Sequence, residues 1–310
     1  MRHIFAKFLL ALSAACLLTA AARADSSFII VDNQSGHILD GRGANEKRQI
    51  ASITKVATAL VVLDMVQLGK LNLNEIVAVP PVALRSGGAN PVGLEIGDQL
   101  SVRDLIYSAL LASDNVAATT LAHHAGARLP NPEQLSPAGN FVAHMNALAR
   151  ELGMRHTLFL NPTGLDHYTD SSPPHSTAAD VARLVRYAYS EADFPFFVSQ
   201  KSRTIQVTRG GSQVPITLTN TNTLLGQEGI DGVKTGRTTR SGDCIALSSE
   251  QPPEVRRDGA TTYVTPRRII IILLGSNDRT SEGLALTRRG WGLYNQWASQ
   301  GRKSSRSKML

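Results

Sequence analysis

The sequence predicts an α+β fold, because strand-like and helix-like segments are grouped rather than alternated. A strand pair opens the globular part, a run of helices follows, and further strands with one last helix close it. In that order the first and last segments can share one sheet. Size and composition agree: 310 residues, 42% hydrophobic and 18% charged, provide for one large or two small domains with a full core. Nothing in that composition resembles a disordered or collagen-like chain.

Residues 1–24 stand apart from the fold. Arg2 and Lys7 precede an apolar run over 8–22 and the small-x-small site Ala22-Arg23-Ala24, the pattern of an export signal cut before Asp25. The run is shorter than the roughly 20 apolar residues of a membrane span. Cys16 has Ser13 rather than leucine three residues before it, so a lipoprotein signal is not indicated.

"SFIIVDNQSGHILDGRG" reads as two strands around the turn residues 33–36, a hairpin. From Ile50 the period becomes helical, with Ile53, Val56, Ala57, Leu60, Val61 and Leu63 on one face, which puts Ser52 in the opening turns of a buried helix. Residues 78–98, rich in Pro and Gly, read as loop and short strand. Ser101 and Asp104 form a capping box for a helix over 105–111, which breaks at Ser113-Asp114-Asn115. A helix over 116–124 then stops at Gly126. Another over 141–152 carries Phe141, Met145, Leu148 and Leu152 on one face and ends at Gly153. "NPTGLD" at 161–166 is turn chemistry, and Thr177 with Asp180 caps a helix through Val181, Leu184, Val185 and Ala188. "GVKTGRTT", "DCIALSS" and "RRIIIILLGS" are strands, the last suited to the middle of a sheet, and residues 282–297 close with a helix.

Charge narrows the function classes. Loss of Arg2, Lys7 and Arg23 with the signal lowers the formal charge from +7 to +4. Arg302, Lys303, Arg306 and Lys308 hold four more positive charges, so the body is near neutral and a nucleic-acid partner is not indicated. Domain boundaries follow: signal 1–24, catalytic domain 25–299, and a basic disordered tail 300–310 whose contact with a membrane is at most peripheral. Only Cys244 survives signal cleavage, so no internal disulfide is available. It reads as a packed strand residue.

The chemistry-bearing pattern begins with "ASITKVAT", which spaces Ser52 and Lys55 by three on a helix and so places them on one face. A lysine kept neutral by burial and a nearby cation can take the proton of a serine hydroxyl. Alone the motif is weak, since Ser305 and Lys308 repeat it in the tail. Ser113-Asp114-Asn115 and Lys234-Thr235-Gly236 follow it in order, and the trio is the signature of class A β-lactamases and penicillin-binding proteins. In such a site Ser113 relays a proton and Asn115 holds a substrate carbonyl and a lysine. Lys234 supplies a fixed charge that keeps Lys55 neutral and attracts a carboxylate, Thr235 donates to that carboxylate, and Gly236 admits the substrate backbone. The backbone N–H groups of Ser52 and Arg237 form an oxyanion hole, each worth about 3 to 4 kcal/mol.

Beyond the trio, the segments "ILDGRGANEKRQIASITK", "GLEIGDQLSVRDLIYSALLASDNVAATTLAHHAG", "FLNPTGLD", "STAADVARL", "LTNTNTLL" and "IDGVKTGRTTRSGDCIAL" resemble the serine D-Ala-D-Ala carboxypeptidases of the low-molecular-mass penicillin-binding proteins, peptidase family S11. The likeness runs from about Ser26 to Trp297. It implies a β-lactamase/transpeptidase-like fold, an antiparallel sheet flanked by helices with a helical subdomain and the site between. It implies acylation of Ser52 by peptidoglycan stem peptides ending in D-Ala-D-Ala, with substrate contacts at Lys234, Thr235, Gly236, Arg237 and Thr238. β-Lactams are then covalent inhibitors, and a periplasmic or secreted location follows. No cofactor is implied, and no His-Glu-x-x-His pattern for a metal is present.

The likeness thins in two places. Family members with a second β-rich domain and an amphipathic anchor extend well past the equivalent of Trp297, whereas this sequence ends soon after it, as do short members that cut crosslinks as endopeptidases. "LAHH" at 121–124 leans the same way, with carboxypeptidase kept ahead. Class A β-lactamases pair a deacylating Glu with an Asn four residues on. Glu133, Glu151, Glu191 and Glu228 have Pro137, Arg155, Pro195 and Gly232 there instead. An acyl-enzyme from penicillin is therefore expected to persist. A reading of another class is a penicillin-binding or wall-sensing module without turnover.

Overall fold

A computed structural model describes residues 26–166 and 172–310. The export segment expected over 1–24 lies outside the described residues. The opening hairpin is present: β1 (Ser27–Asp32) pairs antiparallel with β2 (Ile38–Arg42), and the Asp32 carboxylate accepts from Ser35 N at 2.6 Å inside the turn. A 3₁₀ turn, Ala51–Ile53, then leads into α1 (Thr54–Gln67). That helix is apolar around nearly its whole circumference, so it can only lie inside the protein.

Short β3 (Ile76–Ala78), α2 (Pro81–Arg85) and β4 (Gln99–Ser101) cover the Pro- and Gly-rich stretch. α3 (Val102–Leu110) starts as expected at Ser101, whose hydroxyl accepts from Asp104 N at 3.0 Å. α4 (Asn115–Gly126) starts at Asp114, and its last residue is small because α5 (Pro137–Glu151) crosses directly over it. A Cβ on Gly126 would stand 1.9 Å from the Pro137 carbonyl. α6 (Ala178–Ala188) is capped by Thr177, as expected, and α7 (Phe194–Val198) follows.

The rest is β5 (Ser202–Arg209), β6 (Ser212–Thr219), β7 (Ile230–Thr238), β8 (Gly242–Asp258), β9 (Thr261–Ser276) and α8 (Arg279–Ser299). The main sheet runs β2-β1-β9-β8-β7 and is antiparallel throughout, so first and last segments do share it. β9 is central, and its apolar run is buried on both faces. Ile270, Ile272 and Leu274 enter the core shared with α1 and α6, while Ile269, Ile271 and Leu273 pack with Trp291, Tyr294 and Trp297 of α8. β7 is an edge strand.

Two features differ from expectation. A second antiparallel sheet, β3-β4-β5-β6, was not anticipated. Residues 300–310, expected as a disordered tail, instead return to the β1–β2 turn. Met309 bridges His37, Leu310 N donates to the Gly36 carbonyl at 3.1 Å, and the His37 ring stacks on Trp297 at 4.4 Å. An apolar residue at the very end supplies what the basic composition concealed: Leu310 packs on the core. Among the described residues no helix is long and apolar enough to cross a membrane.

Candidate active site

Ser52 occupies the 3₁₀ turn ahead of α1, half-buried in a row of buried neighbours. The preceding Ala51 has φ 47°, a left-handed conformation that L-residues adopt at a cost of order 1–3 kcal/mol and that persists where surrounding contacts enforce it. The enforcing contact is the "NPTGLD" turn. Gly164, itself at φ 80°, passes so close to Ala51 that a Cβ there would stand 1.9 Å from the Ala51 carbonyl. Asn161 builds this turn by accepting from Thr163 N, Thr163 Oγ1 and Gly164 N at 2.7 to 3.0 Å.

Lys55 is fully buried, with Nζ 2.8 Å from Ser52 Oγ and 3.0 Å from the Thr163 carbonyl, to which it donates. Burial lowers its pKa to about 7, although the Asp114 carboxylate pulls the other way. A neutral amine has one lone pair. With an N–H spent on the Thr163 carbonyl, the lone pair can face the serine hydroxyl. The role of Thr163 was missed by the sequence reading, because a backbone carbonyl leaves no side-chain signature. The "NPTGLD" turn was its only trace.

The loop between α3 and α4 is the second wall. Ser113 has φ 62°, and Asp114 is fully buried, accepting from Ala117 N at 2.8 Å and from Val92 N at 3.1 Å. Asp114 thus caps α4 and ties the 86–98 segment to it. Burial raises the Asp114 pKa, against hydrogen bonds from Ala117 and Val92 and the charge of Lys55. Asn115 is buried, its Oδ1 has no partner, and its Nδ2 lies under Gly88, where a Cβ would come within 2.1 Å. A buried amide oxygen without a donor is uncommon and fits a group built to meet one.

β7 is the third wall. A Cβ on Gly236 would lie 2.9 Å from the Ile50 carbonyl and 3.0 Å from Ser52 N. The glycine is therefore needed for the approach of β7 to the serine turn, whatever it does for a substrate. Thr235 Oγ1 donates to Thr221 Oγ1 at 2.7 Å, and Thr221 N donates to the Leu111 carbonyl at 3.0 Å. Thr221, in "LTNTNTLL", so links β7 to the end of α3 beside Ser113. Arg237 is exposed and 3.5 Å from Asp243, and Thr238 N donates to Ser241 Oγ at 2.8 Å in the turn to β8.

Lys234 is buried and donates to the Thr235 carbonyl at 3.1 Å. Its pKa is lowered by burial first, then by Lys55 and Arg279. Burial is the largest cause at both lysines, and the repulsion between the two amines is mutual, so the charged form of each disfavours the charged form of the other. Arg279, at the start of α8, also escaped the sequence reading. It donates to the Gly236 carbonyl at 3.1 Å and to Asp243 at 3.2 Å, which brings a third cation to this strand. Among the described residues no group of His, Cys, Asp and Glu could hold a metal ion. Buried Cys244 has its thiol pKa raised to about 11, chiefly by burial, and so is inert.

The profile of the D-alanyl-D-alanine carboxypeptidase family, peptidase S11, matches residues 15–255. The chain is 28% identical over 226 residues to D-alanyl-D-alanine carboxypeptidase DacF of Bacillus subtilis, covering 73% of this chain and 54% of that one. It is 34% identical over 232 residues to the D-alanyl-D-alanine endopeptidase of Pseudomonas aeruginosa, covering 72% and 66%. This chain thus spans between half and two thirds of the length of these relatives. The crystal structure of the Streptomyces K15 DD-transpeptidase superposes with a TM-score of 0.72 at 26% identity, over 86% of this chain and 96% of that one. The transpeptidase-like fold is thereby shown, and the chain belongs to the D-alanyl-D-alanine carboxypeptidase family S11.

Proposed function

We propose that the protein is a serine DD-peptidase that removes the terminal D-alanine of peptidoglycan stem peptides. The observation that carries this reading is a fully buried Lys55 with a pKa near 7 and its amine 2.8 Å from Ser52 Oγ. Ser52 Oγ attacks the carbonyl of the penultimate D-alanine while its proton passes to Lys55 Nζ. The oxyanion is held by the N–H groups of Ser52 and Arg237. The C–N bond then breaks, the proton returns through the Ser113 hydroxyl to the leaving D-alanine amine, and water hydrolyses the ester on Ser52. Asn115 donates to a substrate amide carbonyl. Lys234, Thr235 and Arg279 face the terminal carboxylate, which favours the charged form of Lys234 that burial otherwise suppresses. Gly236, Arg237 and Thr238 offer the edge of β7 to the peptide backbone. β-Lactams enter by the same acylation and stay. Residues 1–24 support export to the periplasm or beyond, and any membrane contact is peripheral. Domain limits of 25–299 for the catalytic unit fit this reading.

A specific observation favours endopeptidase action on crosslinks as the second reading: the Pseudomonas aeruginosa relative, at 34% identity, bears that name. Fluorescent penicillin with intact-mass analysis on wild type and Ser52→Ala tests the acyl-serine. Label on the wild type and none on the variant is expected, and an unlabelled wild type would refute it. Release of D-alanine from a pentapeptide against cleavage of a crosslinked dimer muropeptide separates the two peptidase readings. Labelling with neither activity would mean a penicillin-binding module without turnover.

A further inference from the structure

The "LTNTNTLL" segment has no part in the acylation chemistry, yet it brings a second hydroxyl to β7. Three consecutive residues pin it. Thr221 N donates to the Leu111 carbonyl at 3.0 Å, just past the end of α3. Asn220 Nδ2 donates to the Val198 and Gln200 carbonyls at 3.1 and 2.9 Å, and Asn222 Nδ2 to the Gly232 carbonyl of β7 at 3.0 Å. Asn222 N also donates to Asn220 Oδ1 at 2.9 Å, and both asparagines are buried. Backbone carbonyls from the ends of α3 and α7 and from β7 therefore fix where Thr221 stands, rather than mobile side chains.

Each hydroxyl has one proton, and the two can be followed. Thr235 is 5% exposed and gives its proton to Thr221 Oγ1 at 2.7 Å. Thr221 is half-buried, and among the described residues nothing accepts its own proton. Thr235 cannot turn to an arriving anion without releasing Thr221, whereas Thr221 can donate and break nothing. A hydroxyl that already accepts a hydrogen bond is also the better donor, because bonds in a chain polarise one another. Lys234 beside Thr235, and Arg279 on the Gly236 carbonyl at 3.1 Å, give this end of β7 the charge that an anion requires.

We infer that Thr221 is the hydroxyl that donates to the terminal carboxylate of the substrate, with Thr235 behind it as the positioning residue that aims it. The inference rests on the DD-peptidase reading and deepens it. Preference for a free terminal carboxylate over a blocked one then depends on a threonine outside the three catalytic motifs.

The test uses two D-alanyl thioesters whose leaving thiol carries a carboxylate in one and a carboxamide in the other. Both are reactive enough to be turned over, and the released thiol gives kcat/KM. The wild type is expected to favour the acid. In Thr221→Val the acid-to-amide ratio is expected to fall about tenfold, the scale of one hydrogen bond to a charged group. Thr221→Ser, which keeps the hydroxyl, is expected to hold the wild-type ratio. Adding Thr235→Val to Thr221→Val is expected to lower the ratio by less than the product of the single effects, since the two hydroxyls act as one chain. A wild-type ratio near one overturns the inference. So does a Thr221→Val protein that keeps the wild-type ratio, or that loses equally on both thioesters, which would leave Thr221 a packing residue. Absence of penicillin label on wild-type Ser52 would instead remove the DD-peptidase reading, and this inference with it.

Discussion

Lys55 shows how a single residue changes character with its surroundings. In water its amine is charged. Here desolvation outweighs the attraction of Asp114 and brings the pKa to about 7, so near neutrality the deprotonated fraction is substantial. Replacing it by alanine removes an amine that burial already penalises and leaves the Thr163 carbonyl without its donor, at about 1–3 kcal/mol. Lys55→Ala is therefore expected to stay folded by circular dichroism while its acylation rate falls about 10²- to 10⁴-fold, the range for loss of a general base. Labelling near the wild-type rate would show that Lys55 is only a packed residue. Side chains of this kind were legible in the sequence: Ser52, Lys55, Ser113, Asn115, Lys234 and Thr235 lie in short motifs whose spacing shows through. Thr163 acts through its carbonyl and Arg279 comes from a helix start far along the chain, and neither leaves a local pattern.

Among elements, β7 and the serine turn depend on each other. Gly236 permits their approach, and a methyl there meets backbone atoms of Ile50 and Ser52 that cannot swing aside. Gly236→Ala is expected to push the strand from the turn, lowering the penicillin acylation rate at least about tenfold with a stability loss of only about 1–3 kcal/mol, since β7 is an edge strand that can yield. Chemical denaturation and labelling kinetics on the same sample check both parts. Equal loss of both would mean that the glycine serves packing alone. Elements with a clear period or cap were readable: β1, β9, α1 and the helices begun by Ser101 and Thr177. The second sheet was not. β3 and β4 are three residues each, too short to show alternation. The β5–β6 hairpin does carry a signal, Gly210-Gly211 between alternating residues.

The whole molecule is divided by its main sheet into two cores with separate tasks. The helical side carries the serine turn and the Asp114 loop, while the opposite face is sealed by the aromatic stripe of α8. Trp291 is buried there, and its indole N–H donates to Ser249 Oγ at 2.8 Å. Trp291→Ala is expected to cost about 3–5 kcal/mol, read as a lower denaturation midpoint, with the acylation rate at 25 °C unchanged. A rate falling in step with stability would show that the two cores are not separate. At this scale the α+β order and the shared sheet were legible because first and last strands are strongly apolar. The docking of residues 302–310 was not, since it depends on His37 and Trp297 meeting across the fold.

The central claim is that a buried, uncharged amine accepts the serine proton. The direct measurement is the rate of Ser52 acylation by penicillin against pH from 5.5 to 9, followed by intact mass. Because the folded pKa of Lys55 is depressed, the competent neutral form grows as pH rises through that value, so the rate is expected to climb about tenfold per pH unit below an apparent pKa near 7 and level off above it. A rate flat across this range, or one still climbing toward the pKa of an ordinary lysine, would contradict it.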